Sequence, residues 1–236
     1  MTVDLSGLNL LYVITLMSGL GIDLTKMFDK AVFVVGGGKR ARQAFQDDGV
    51  KAAIAVTQEH ASQLGAVLYD SLRLPLLREV PKSVIELEQA ISGKAFGVAV
   101  GGLQAGQTTD AVAMSALNIL SNQGYQVYPV VLSNVPAIYT ADPQKDDQAR
   151  AIKSASLIWL VEQGVLTAAT NEFVDGMSVP LDPVAVNRFM SLQQHSLLFT
   201  SAEDVTGVRQ FLTDEEVQSG TLIAQGVETC LYPLLK

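Results

Sequence analysis

The residues with the most chemical potential lie in Gly101-Gly102-Leu103-Gln104-Ala105-Gly106-Gln107-Thr108-Thr109-Asp110, between the apolar run Ala95–Val100 and an Ala/Met/Leu-rich run, Ala111–Leu120. Glycines let backbone approach a ligand closely. Thr108 or Thr109 can N-cap a following helix, whose first amides then point into the loop. A strand, a glycine loop and a helix start in that order can hold an anion. The same residues also make an ordinary capped turn, so this stretch alone leaves both readings open.

A second candidate is Gly36-Gly37-Gly38, followed by Lys39, Arg40 and Arg42. Three cations in the first turn of a helix oppose its dipole, a conflict that a bound phosphate removes. Gly36-x-Gly38-x-x-Ala41 also fits a relaxed dinucleotide fingerprint, with Glu59 near the spacing of a ribose-binding acid. The Gly-Lys-Ser/Thr spacing of a P-loop is absent. A third candidate is the loop from Ser133 and Asn134 to Pro143, in which Tyr139 can face a base or ribose and Asp142 a hydroxyl or a magnesium-bound water. Read alone, it is more simply a proline-containing surface loop with a solvated aspartate. Asp182-Pro183 reads as a helix N-cap with proline at the first helical position. His60 and His195 lack a partner pattern and read as structural, Cys230 reads as a small apolar filler, and no metal-ligand set is seen.

These loops need a frame, and the composition supplies one. The chain has 236 residues, 48% hydrophobic and 17% charged, enough for a full core and compatible with a single domain over 1–236. A net charge of −8 argues against nucleic-acid or anionic-membrane partners. One cysteine excludes an internal disulfide and fits a cytoplasmic setting. The apolar run Leu8–Leu20 is too short and interrupted to span a membrane, and it lacks the basic start of a signal peptide.

Apolar β-branched runs predict strands at Leu10–Leu16, Ala31–Val35, Ala95–Val100, Gln126–Leu132, Ser196–Thr200 and Thr221–Ile223. Helices are expected near 23–30, 39–46, 83–92 (closed by Gly93), 111–120, 154–163, 182–192 and 205–212, while Ala52–Val56 fits a strand or the start of a longer helix. Alternation of strand and helix implies an α/β fold with a mainly parallel sheet covered on both faces.

Five of these motifs, in this order, resemble the amino-acid-kinase superfamily, and most closely its archaeal-type uridylate (UMP) kinases. They are Gly36–Arg42, Gly101–Ala113, Asn134–Lys145, Asp182-Pro183-Val184-Ala185 and Gly220-Thr221-Leu222-Ile223. The resemblance implies a three-layer αβα sandwich, a dimer-based hexamer of like or paralogous subunits, and MgATP-dependent phosphorylation of UMP in pyrimidine biosynthesis. It implies acceptor and phosphate contacts from Gly37, Gln104, Ala105, Gly106, Gln107, Thr108, Thr109 and Asp110. It implies ATP contacts from Ser18, Gly38, Arg42, Ser133, Asn134, Tyr139 and Asp142, with Lys39 and Asp110 closest to catalysis.

The departures are specific. Leu16-Met17-Ser18 stands where the family has Gly-Gly-Ser, Gln58-Glu59-His60-Ala61 where it has Arg-Ala-Asn-Ala, Pro136-Ala137 where it has Asp-Gly, and Asn187 where it has lysine. Each removes a glycine or a charge near phosphate. They favour a second reading, a non-catalytic subunit of the same fold that scaffolds an active paralogue or, as in molybdenum storage proteins, holds ATP and an oxyanion.

Overall fold

The computed structural model describes residues 2–4, 18–103, 108–168, 180–192 and 196–233. In chain order these form β1 (Thr2–Asp4), α1 (Leu24–Met27), β2 (Ala31–Val34), α2 (Gly38–Asp48), α3 (Val50–Leu72), β3 (Leu76–Leu77), α4 (Val84–Ser92), β4 (Gly97–Val100) and α5 (Thr109–Asn122). There follow β5 (Pro129–Ser133), β6 (Ile152–Ala155), α6 (Leu157–Glu162), α7 (Pro183–Ser191), β7 (Leu197–Ser201), α8 (Val205–Leu212), β8 (Thr221–Ile223) and β9 (Cys230–Leu231).

The strands form one sheet in the order β3-β4-β2-β1-β5-β7-β8-β6-β9. From β3 through β7 neighbours are parallel; β8 runs antiparallel to β7, β6 parallel to β8, and β9 antiparallel to β6. Strand side chains alternate between faces. Val32, Val34, Val98, Val100, Val131 and Phe199 therefore join one core with α4, α5, α6 and α7. Ala31, Phe33, Ala99, Val130, Leu132 and Leu198 join the other with α1, α3 and α8. Burial on both faces explains the uninterrupted apolar strands, and the result is the expected αβα sandwich.

Most helix starts follow from local capping chemistry. Asp23, Ser83, Thr108, Ser156, Asp182 and Asp204 each accept a backbone amide from the first turn of α1, α4, α5, α6, α7 and α8. Gly93 closes α4, and Pro183 occupies the start of α7. By contrast α2 and α3 begin at Gly37 and Gly49 with no side-chain cap. α2 buries none of its residues and packs on α3.

Several expectations are corrected. The strand expected at Leu10–Leu16 lies outside the described residues, and Thr2–Asp4 holds the central place between β2 and β5, Asp4 pairing with Val34 and Val131. The sequence after this central strand is therefore Leu5-Ser6-Gly7, not Leu16-Met17-Ser18. The helix expected over Ser154–Gln163 is a strand up to Ala155 and helical only from Leu157. Its first part is taken into the sheet by β8 and β9, and Ser156 then caps the helix. β5 starts at Pro129, later than the expected Gln126, and Ala52–Val56 lies within α3. Cys230 is exposed on β9 instead of filling the core. No helix among the described residues is long and apolar enough to cross a membrane.

Candidate active site

The parallel strands β2, β4 and β5 end on the same edge of the sheet, so Gly36–Gly38, Gly101–Gly102 and Ser133–Asn134 come out side by side. Ligands of open α/β sheets bind at this carboxyl edge. Ala202 N donates to Ser133 O at 3.3 Å, which places the end of β7 on the same edge.

At the first loop, Ala41 N bonds to Gly37 O at 3.1 Å, so helical bonding begins there and the preceding amides have no helical acceptor. Lys39 and Arg42 are exposed and have no hydrogen-bond or ion-pair partner among the described residues. Each cation at an uncapped helix start costs roughly 0.3–1 kcal/mol against the dipole, and an anion reverses that sign. Arg40 behaves differently, since its guanidinium meets Glu59 Oε2 and His60 Nε2, both at 3.3 Å. Glu59 also accepts from Gln63 Nε2 at 3.0 Å. It sits within α3, already engaged, and the dinucleotide reading fails because a ribose-binding acid belongs at a strand end.

The second loop lies directly on α3. Gly102 N donates to Thr57 Oγ1 at 2.8 Å, and Gln58 Nε2 donates to Gly102 O at 3.1 Å. A Cβ on Gly101 would stand 2.4 Å from Thr57 O, and one on Gly37 would stand 2.0 Å from the Ala41 Cβ and 2.7 Å from Thr57 Cγ2. Only glycine permits either approach. Gly36 O lies 3.5 Å from His60 Nδ1. One turn of α3, 57–60, thus touches both glycine loops. Thr57 and Gln58 carry this junction with no chemical signal of their own in the sequence, because their partners lie more than forty residues away.

Beyond the loop, Thr108 caps α5 by accepting from Ala111 N at 3.2 Å, and Thr109 is its first residue. Asp110 Oδ2 accepts from Asp182 N at 2.9 Å, and Arg188 Nη1 donates to Ala111 O and Ser115 Oγ at 2.8 and 2.9 Å. The starts of α5 and α7 are thereby joined. Asp182 is 4% exposed, and its Oδ1 caps Val184 N and Ala185 N at 2.8 and 3.1 Å. Burial raises its carboxyl above the ordinary value and the Asp110 charge adds to this, against those two amides.

The loop after β5 is anchored by Thr221, whose buried hydroxyl accepts from Ile138 N at 2.9 Å and donates to Ile152 O at 2.6 Å. Tyr139 pairs with Ala151 and is half-buried. Asp142 is exposed and self-contained, accepting from Gln144 N at 3.0 Å and pairing with Lys145 at 3.0 Å, which lowers its pKa. Ser133 Oγ donates to the exposed Asn134 at 3.3 Å. Ser18 is exposed, and its neighbour Gly19 lies against Val205 at the start of α8. Gln104, Ala105, Gly106, Gln107, Leu16, Met17 and His195 lie outside the described residues.

Two cavities, of about 360 and 660 Å³, open at the opposite edge, where β2, β5 and β7 begin. They share Tyr128 and Asp214, joined by a 2.9 Å hydrogen bond, and none of the candidate residues lines them. The uncapped start of α2 with Lys39 and Arg42, and the close seating of Gly37, Gly101 and Gly102 on α3, lie together at the carboxyl edge, which marks that edge as the candidate site.

Comparison with known proteins agrees with this geometry. No protein-family model matches the chain. The chain is 33% identical over 167 residues to the uridylate kinase of Methanocorpusculum labreanum, covering 65% of this chain and 67% of that protein. It is 32% identical over 171 residues to the uridylate kinase of Methanothrix thermoacetophila, covering 66% and 69%. Its fold matches the crystal structure of UMP kinase from Bacillus anthracis with a TM-score of 0.70 over 98% of both chains, at 16% identity.

Proposed function

This chain belongs to the uridylate kinase family within the amino-acid-kinase superfamily, and from that premise we propose that it transfers the γ-phosphoryl group of MgATP to UMP. One observation carries the reading: the uncapped start of α2 and the Gly101–Gly102 loop that leads toward α5 are seated together on a single turn of α3. Phosphoryl transfer needs two phosphates held at a fixed spacing, and charge on their oxygens neutralised, more than it needs a base.

In this reading Gly37, the loop from Gln104 to Gln107, Thr108, Thr109 and Asp110 receive UMP. Gly38, Arg42, Ser133, Asn134, Tyr139, Asp142 and Ser18 receive ATP. Lys39 and Arg42 neutralise the transferring phosphate, and their lack of partners among the described residues supports this use. Asp110 spends one oxygen on Asp182 N, which suits a group that positions the acceptor. Asp142 has to release Lys145 or share it with the nucleotide.

Among the described residues no group of three or more His, Cys, Asp or Glu could hold a metal. In this reading Mg²⁺ enters as the counter-ion of the nucleotide phosphates, part of the substrate. We further propose a single catalytic domain acting in the cytoplasm as a dimer-based oligomer, for which the exposed Phe45 and Val50 on the α2–α3 pair offer apolar surface. The scaffold or oxyanion-storage reading gains no comparable support, since the relatives compared above are named as kinases. The test is steady-state ADP release from MgATP by the purified chain. Release that requires UMP supports the reading, and turnover indifferent to every nucleoside monophosphate overturns it.

A further inference from the structure

We infer that Thr57 is a positioning residue that sets the acceptor-side loop of the kinase centre, an inference that rests on the kinase reading above. Thr57 is the point at which both glycine loops meet a rigid element. Its hydroxyl donates to Ile54 O, one turn back in α3, at 2.8 Å, and this orients the oxygen to accept from Gly102 N at 2.8 Å. Its backbone carbonyl is the surface on which Gly101 rests, and its methyl group faces Gly37. The next residue, Gln58, holds Gly102 O, so both polar backbone groups of Gly102 are fixed by consecutive residues of α3. The following two, Glu59 and His60, engage Arg40, and His60 lies near Gly36 O.

The loop that leads to Gln104 thus has its first residues pinned, and pinned to the same turn that backs the start of α2. A displacement of about 1 Å between two reacting groups is enough to cost roughly 100-fold in rate. Losing the Thr57 hydroxyl frees Gly102 N–H and lets the loop drift relative to α2 while leaving every cation in place. Thr57 touches no substrate in this scheme; it acts through Gly102.

The experiment compares Thr57→Val, which keeps the shape and removes the hydroxyl, with Thr57→Ser, which keeps the hydroxyl. Thr57→Ala replaces the valine variant should that one not fold. Expected for Thr57→Val is a rise of at least tenfold in the KM for UMP, with the KM for ATP changed less than threefold. Amide exchange at Gly102 should be faster in the valine variant, and Thr57→Ser should restore both readouts. Equal rises in both KM values, or an unchanged KM for UMP and unchanged Gly102 exchange in Thr57→Val, overturn the inference. If the unmodified chain transfers nothing to UMP, the kinase reading has failed; faster exchange confined to the Gly102 loop still supports Thr57 as its anchor, and unchanged exchange overturns it.

Discussion

The backbone amide of Asp182 donates to the carboxylate of Asp110 at 2.9 Å, joining the starts of two helices through residues 72 positions apart in sequence. Asp182 in turn caps its own helix, so the pair fixes the start of α7 against the candidate acceptor loop. Replacing Asp182 with alanine removes the cap and is expected to lower stability by about 1–2 kcal/mol in urea unfolding. Asparagine keeps a capping oxygen and should cost less than half as much.

The same residue gives a pH signature. Its folded carboxyl has a higher pKa than the ordinary 3.8 of the unfolded chain, so the folded state binds the proton more tightly. Stability from this group is present at low pH and is lost as pH rises through the folded value. The stability of Asp182→Asn minus that of the unmodified chain should therefore increase as pH rises from about 3.8 through the folded value. A difference that stays flat across the acid range contradicts the assigned burial effect.

Thr221 is fully buried, and its hydroxyl serves Ile138 N and Ile152 O at once. Thr221→Val preserves shape but strands a buried donor, at a cost of about 1–3 kcal/mol. Chemical denaturation should show that loss, and faster amide exchange should be confined to residues near Ile138.

Gly101 tests the close packing of the loop on α3. The Cβ of Gly101→Ala would meet backbone atoms of Thr57 at 2.4–2.5 Å, so nothing flexible can yield. A loss of about 1–3 kcal/mol is expected. Wild-type stability together with wild-type UMP affinity would contradict the described contact.

Lys39 and Arg42 should show the opposite pattern. Both are exposed without partners among the described residues, so Lys39→Ala and Arg42→Ala should unfold within about 0.5 kcal/mol of the unmodified chain. A charge-assisted contact to phosphate is worth about 1.5–3 kcal/mol, so kcat/KM for MgATP should fall roughly 10- to 100-fold. Stability losses that match the activity losses would assign these cations to folding instead.

What was legible in the sequence was local. Ser83, Thr108 and Asp182-Pro183 announce helix starts because each cap reaches only two or three residues ahead. The glycine loops were visible because apolar runs ending in glycine mark strand exits. β6 was hidden because Ile152–Ala155 owes its extended form to β8 and β9, far along the chain, and carries no strand pattern of its own. The central place in the sheet is held by Thr2–Asp4, a stretch of weaker strand composition than Leu10–Leu16. At the site, the residues that could meet phosphate were readable by type. Their mounting on Thr57–His60 was not, since Thr57 to Gly102 is a contact between positions 45 apart.

Phosphoryl transfer itself is tested by incubating the full chain with γ-labelled MgATP and UMP and separating the nucleotides. Labelled UDP formed in proportion to enzyme, requiring UMP and Mg²⁺ and reduced at least tenfold in Arg42→Ala, is the expected result. Label that stays on ATP, or appears only as inorganic phosphate whichever nucleoside monophosphate is supplied, would contradict the assignment of this cleft to kinase chemistry.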